Sequence, residues 1–254
     1  MQNKYGLSLI VLLILLHGGF AQEQDSTKIP FRAGGAVLVT NNGISLIPTF
    51  SLGEPAVLFN LYAAKGRLSF EPDIRFSFKG KPWSFLFWFR YRLVESQKFR
   101  VLVGIHPAFN FKTVINPIDS SEMIATRRFL AGELSPNYFI TKDISVGIYY
   151  LGSRGFDPGT PRTTHFLTLN SNISNIKLFA QLYMRFSPQV YYLKQNDDEG
   201  YFATATVALA RRKFPLSILG IFNKTIESHI HGSKDFLWSL SLVYSFGKVY
   251  VERK

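Results

Sequence analysis

The chain alternates apolar and polar residues over segments long enough to cross a bilayer as strands. From Arg67 to Lys79, the odd positions are Arg67, Ser69, Glu71, Asp73, Arg75, Ser77 and Lys79. The even positions are Leu68, Phe70, Pro72, Ile74, Phe76 and Phe78. Successive side chains of a strand point to opposite faces, so this period sorts the residues into an apolar and a polar wall. The next segment sets Trp83, Phe85, Phe87, Phe89, Tyr91 and Leu93 against Ser84, Leu86, Trp88, Arg90 and Arg92. Further on, Phe99 to Phe111 alternates with Arg100, Gly104, His106, Asn110 and Lys112. Near the end, Phe236, Trp238, Leu240, Leu242, Tyr244 and Phe246 oppose Ser239, Ser241 and Ser245.

A soluble sandwich also alternates, but its strands average about five or six residues. These segments approach the ~9–11 residues that span a membrane when tilted. Their apolar faces are rich in rings, in a chain with 24 Phe, 12 Tyr and only 18% charged residues. Aromatic girdles mark membrane interfaces. Trp83 and Tyr91 stand near opposite ends of one such face, as do Trp238 and Tyr244. The expected fold is all-β: a transmembrane antiparallel up-and-down β-barrel.

The N-terminus supplies the route. Met1 to Ala21 reads as a signal peptide, with Lys4 as its basic start, Leu7 to Leu16 as its apolar run, and small Gly19 and Ala21 before the cleavage point. That run is too short for a transmembrane helix, and no later stretch reaches the ~18 apolar residues one needs. The formal charge of +12 would point to nucleic acid in a cytosolic protein, a partner that export argues against. With no cysteine, the chain lacks disulfides, zinc-thiolate sites, Cys nucleophiles and the residue that carries a lipoprotein anchor.

The chain resembles Gram-negative outer-membrane β-barrel proteins. The resemblance rests on the signal ending Phe20-Ala21-Gln22, the alternating strands, and the final strand FLWSLSLVYSF with its aromatic terminal residue Phe246. It implies an outer-membrane location, contact with outer-membrane lipids, and recognition of the Phe246 strand by the insertion machinery. The extension Gly247 to Lys254 departs from barrels that stop at that aromatic residue.

Candidate strands are 44–52, 56–64, 67–79, 82–94, 98–113, 122–140, 143–153, 162–172, 175–193, 201–212, 215–227 and 235–246. Turns are expected at Lys65-Gly66, Gly80-Lys81, 95–97, Lys142-Asp143, 172–175 and 211–213. The longer connections 114–121, 153–161, 194–200 and 228–234 then share one end, the one that faces outside in such barrels. Counting the apolar run Gly34 to Thr40 would make the number odd, which single-chain bacterial barrels avoid. The expected organisation is therefore a signal at 1–21, a periplasmic or barrel-mouth segment at 22–42, a barrel of about 12 strands at 43–246, and a periplasmic tail at 247–254. Ten or fourteen strands remain open, because 122–140 and 175–193 have a blurred pattern.

A two-residue turn at Gly80-Lys81 would set Glu71 opposite Arg90 and Asp73 opposite Trp88, all on the polar face. The 95–97 turn would set Arg92 opposite Arg100. One lumen wall thus carries Arg67, Arg75, Arg90, Arg92 and Arg100 against Glu71 and Asp73, with Arg127, Lys177, Arg185 and Arg212 as further inward positions. Two readings fit. Arginines lining a pore favour anions, and Arg92 facing Arg100 is a like-charge pair that otherwise destabilises a sheet. Alternatively, Arg and carboxylate groups fill the interior and satisfy one another. Trp88 is expected to cover Gly104.

Enzyme chemistry has little support. Only His231-Gly232-Ser233 has the His–Ser spacing of outer-membrane lipid hydrolases, with Glu227 or Asp235 as the available third member. No catalytic, metal or cofactor site is assigned: His229 and His231 read as solvated loop residues, and Asp197 to Gly200 as a turn. The expected function is a passive small-solute pore with a preference for small anions. The alternative is a closed barrel that binds lipid headgroups or a partner protein.

Overall fold

The protein is described by a computed structural model over residues 29–45, 47–116 and 119–250. The signal expected at 1–21 lies outside the described residues. Twelve strands follow in chain order: β1 (Phe31–Thr40), β2 (Ala56–Lys65), β3 (Leu68–Ser77), β4 (Pro82–Glu95), β5 (Phe99–Ile115), β6 (Glu122–Phe139), β7 (Ile144–Gly155), β8 (Thr163–Phe179), β9 (Leu182–Gln195), β10 (Asp198–Arg211), β11 (Leu216–Ser228) and β12 (Phe236–Tyr250). Each pairs with its chain neighbours, and β1 closes on β12. All pairings are antiparallel. Closure removes the sheet edge, as a strand structure in lipid requires.

Alternation builds the two walls. On the outside, rings meet across strands: Phe70 and Phe89 at 4.8 Å, Phe85 and Phe111 at 4.8 Å, Phe87 and Phe109 at 6.3 Å between centroids. Cross-strand pairs of this kind stabilise a sheet. The outward positions of β12, Trp238, Leu240, Leu242, Tyr244 and Phe246, are all exposed. A continuous apolar exterior of this kind is solvated by lipid chains. The described residues form a closed twelve-strand antiparallel β-barrel with an apolar exterior.

The strand count matches expectation, but its membership differs at the start. Phe31–Thr40, expected at the barrel mouth, is β1 and runs through the wall between β2 and β12. Residues 44–52, expected as the first strand, form part of the 41–55 connection, with one turn of 3-10 helix at Pro48–Phe50. Pro48 has no N–H to give a ladder, and Gly53 takes φ +79°. The apolar residues of this segment pack inside the barrel rather than against lipid: Ile47 is buried, and Leu52 packs beside Trp83. One strand was gained and one lost, which preserved the parity.

Three other boundaries move. β12 continues past Phe246, and Tyr250 still pairs with Phe31, so the first half of the expected tail, 247–250, belongs to the barrel, and 251–254 lie outside the described residues. The expected turn at 172–175 is a bulge inside β8, where Asn175 adopts φ 58°, and the real turn is Ala180-Gln181. The expected long connection at 194–200 is the two-residue link Asn196-Asp197, with Asn196 at φ 54°. The ends of the barrel are called here the loop end, which carries 41–55, 116–121, 156–162 and 229–235, and the turn end opposite.

Candidate functional site

The lumen is where the sequence placed its charged residues, and three regions of it differ in chemistry. At mid-height, Arg90 of β4 is the centre of a closed network. Its Nε donates to Glu133 Oε1 at 2.5 Å and its Nη2 to Glu133 Oε2 at 3.3 Å, while Nη1 donates to Glu71. Tyr149 donates to Glu133 Oε2 at 2.8 Å, and Ser69 to Glu71 Oε1 at 2.7 Å. The Arg90 guanidinium also lies 4.2 Å from the Trp88 ring centre, and Trp88 packs on His106. Beside this network Arg75 forks onto Asp73, with Nε to Oδ1 at 2.9 Å. Both mid-lumen arginines are thus neutralised by acids. Glu133 has a side-chain exposure of 0% and was not anticipated from the sequence.

Gly104 makes the network possible. A Cβ there would sit 2.5 Å from Glu133 Oε1 and 3.1 Å from Arg90 Cγ. The residues filling the space over Gly104 are therefore Glu133 and Arg90, not Trp88 as expected.

The register differs from expectation by two residues. Glu71 pairs with Trp88, Asp73 with Leu86, and Ser69 with Arg90. The connection between β3 and β4 spans residues 78–81, and a bulge at Trp83 adds a residue to β4. A net shift of two leaves the side chains from Ser84 to Arg92 on their predicted faces. The bulge turns Trp83 inward: it is 2% exposed, far from the lipid-facing girdle position expected of it. Tyr91, Trp238 and Tyr244 do lie exposed on the outer wall.

Trp83 anchors the second region. Its indole Nε1 donates to the Phe50 carbonyl at 2.9 Å, and Arg75 lies 5.0 Å over its ring. The 41–55 connection is thereby folded into the loop end of the lumen. Phe50 meets Phe129 edge-on at 5.2 Å, and Glu54 accepts from Lys79 at 2.7 Å. The Glu54 carboxylate raises the Lys79 amine above its ordinary value through that hydrogen bond. Two lumen cavities flank this inserted segment. A mid-height one of about 350 Å³ is lined by Asn60, Glu71, Asp73, Arg75, Ser84, Trp88, Arg90 and His106. A loop-end one of about 650 Å³ is lined by Lys81, Lys112, Arg127, Glu54 and Asp198. Phe50 and Asn110 line both. Across the lumen, Phe166, Tyr191, Leu193 and Phe202 form a buried cluster with Ile47 and Ile230. Ser84 Oγ and His106 Nδ1, both on the mid-height cavity, are buried without a hydrogen-bond partner among the described residues.

The third region is the turn-end rim. Here the opposition of Arg92 and Arg100 does not form: a bulge before Val94 pairs Arg92 with Leu102 and Glu95 with Arg100. Both arginines share Glu95, Arg92 Nη1 at 3.0 Å and Arg100 Nη2 at 3.6 Å. Arg67 lies exposed in the turn between β2 and β3. The ladder register places Arg32 and Arg185, and Lys177 after the bulge in β8, at the same end. Arg212 reaches it from the turn after β10, stacked 4.3 Å over Tyr183, the ladder partner of Lys177.

Ser233 Oγ lies 2.9 Å from Ser228 Oγ, and among the described residues no hydrogen bond joins it to His231. No group of three or more His, Asp or Glu gathers among the described residues.

No protein-family model matches the chain, and no curated protein matches it. Solved structures do. A KdgM porin in complex with disordered oligogalacturonate superposes with a TM-score of 0.50 at 12% identity, covering 85% of this chain and 99% of that one. A NanC porin superposes at 0.46 and 10% identity, covering 85% and 100%. At such identities the likeness is one of fold: the chain has a porin-like outer-membrane barrel.

Proposed function

We propose that the protein is a narrow passive channel for small hydrophilic solutes, with a preference for anions set at its turn-end rim. The observation that carries the reading is the charge balance along the lumen. At mid-height, Arg75 and Arg90 are matched by Asp73, Glu71 and Glu133. At the rim, Arg32, Arg92, Arg100, Lys177, Arg185 and Arg212 surround Glu95, with Asp143 in an adjacent turn. A cationic mouth with a low-dielectric wall concentrates anions. The seven lumen residues expected from the sequence are thus divided: Arg92 and Arg100, with Arg67 beside them, are the candidates for selectivity, while Glu71, Asp73, Arg75 and Arg90 form the wall that the solute passes. The solved KdgM porin with oligogalacturonate supplies a precedent for an anionic solute in such a fold. Tyr91, Trp238 and Tyr244 take the interface girdle, and the β12 strand with Phe246 the role of insertion signal.

The test is the reversal potential of the reconstituted protein under a salt gradient. Arg92→Glu with Arg100→Glu should move selectivity towards cations, whereas unchanged selectivity in a conducting barrel would overturn the rim assignment. One observation favours a second reading. The 41–55 segment and the Phe166–Tyr191–Leu193–Phe202 cluster occupy much of the lumen, and a barrel closed by them would serve through its surface. A folded, non-conducting protein would select that reading.

A further inference from the structure

The outer wall carries a charged patch that the channel does not use. Near the loop end, Gly152 of β7, His165 of β8 and Lys194 of β9 stand in one ladder row, with His165 paired directly to both. All three positions lie on the lipid-facing side, because their neighbours Leu151, Phe166 and Leu193 are buried inside. Arg154 is exposed on the same face, two residues along β7 from Gly152, a step of roughly 7 Å. His165 and Lys194 stand about 5 Å apart at Cβ.

The row is organised. Gly152 leaves the space that the Tyr150 hydroxyl end occupies: a Cβ there would lie 3.1 Å from it. That hydroxyl bonds His165 Nδ1 at 2.8 Å, which leaves Nε2 for another partner. Of the nearby acids, Asp157 is held by Arg128, while Glu199 stands opposite Lys194 in the ladder, accepts from the neutral Tyr192 hydroxyl at 2.5 Å and makes no ion pair with Lys194 among the described residues. Arg154 and Lys194 form no ion pair among the described residues. Immediately towards mid-membrane come the rings of Tyr150, Tyr192 and Tyr201, the amphipathic layer that sits at headgroup depth. Cations on a lipid wall at that depth lie where anionic lipid headgroups attract them.

We infer that Arg154, His165 and Lys194 form a binding site for the phosphate groups of a phosphorylated glycolipid in the leaflet at the loop end. The site depends on the membrane location but not on conduction. The experiment is native mass spectrometry of the detergent-solubilised mature barrel titrated with diphosphorylated lipid A, with dephosphorylated lipid A as control. Wild type should retain the phosphorylated form selectively. Replacing Arg154, His165 and Lys194 together by Gln should lower its occupancy about tenfold or more, and Lys194→Gln alone about fivefold, from the loss of near-surface charges. The single variant answers the question if the triple variant does not fold. Equal retention by variant and wild type, or equal binding of the dephosphorylated lipid, would overturn the site. Displacement by excess inorganic phosphate would assign it to a free anion and overturn the lipid. Conductance measured in parallel separates this result from the channel reading, because none of the three residues faces the lumen.

Discussion

The Glu133 carboxylate, withdrawn from solvent inside the barrel, is held by Arg90 from across β5, with Nε–Oε1 at 2.5 Å. The two residues lie on β4 and β6, so the contact passes over Gly104 of β5 and braces two non-adjacent strands of one wall. A buried acid is costly unless it is paired and its remaining lone pairs are met. Here Tyr149 meets them.

Removing the cation should therefore cost more than neutralising the acid. Arg90→Leu leaves Glu133 charged and buried, and is expected to destabilise the barrel by about 3–5 kcal/mol. Glu133→Gln keeps the shape and the Tyr149 contact and should cost about 1 kcal/mol. Denaturant midpoints in detergent check the order; equal losses would show that the pair does not act as described.

Gly104→Ala should destabilise the barrel by about 1–3 kcal/mol, since the added methyl collides with Glu133. Much of the loss should disappear when Glu133 is also changed to Ala. A double-mutant cycle measures that coupling, and simple additivity would contradict the contact.

The inserted 41–55 segment hangs on Trp83. Trp83→Phe removes the donor to the Phe50 carbonyl, and single-channel records should become noisier, with a larger mean conductance. An unaltered trace would mean that the segment is held by its apolar contacts alone.

The 156–162 loop is pinned by Asp157, which accepts from the Arg128 side chain at 2.8 Å and from its backbone N–H at 2.5 Å. The Arg128 side-chain hydrogen bond, then its backbone one, hold the Asp157 carboxyl below the ordinary carboxylate range. A depressed folded value means that this contribution is complete above the unfolded value, about 3.9, and is lost as pH falls through the lower folded one. Hydrogen exchange in residues 156–162 should quicken only in acid, and at neutral pH in Asp157→Asn. Equal protection at both pH values would contradict the tether.

Period two made the faces legible: Glu71, Asp73, Arg75 and Arg90 all point inward as read. It could not give the register. The bulge at Trp83 is invisible in a segment whose odd residues are all apolar; the longer 78–81 connection displaces the pairing by three, and the one-residue bulge takes back one, leaving a net shift of two. The same blindness put Trp83 on the lipid side and made Arg92 face Arg100. Glu133 escaped notice because its partner is 43 residues away in sequence, and nothing local in Ala131-Gly132-Glu133-Leu134 distinguishes an inward acid. At the start, Ile44 to Leu52 and Phe31 to Thr40 offered similar apolar patterns. Only packing decides between them: Ile47 and Phe50 find the barrel interior, while Val37 and Val39 remain in the wall.

The central claim is that solutes pass this lumen with selectivity set at its rim. Single-channel conductance of the refolded mature protein, with its reversal potential under a salt gradient, tests it most directly. The account predicts small, steady, anion-selective steps that lose their preference in Arg92→Glu with Arg100→Glu. A folded barrel that does not conduct, or one that prefers cations, would contradict it.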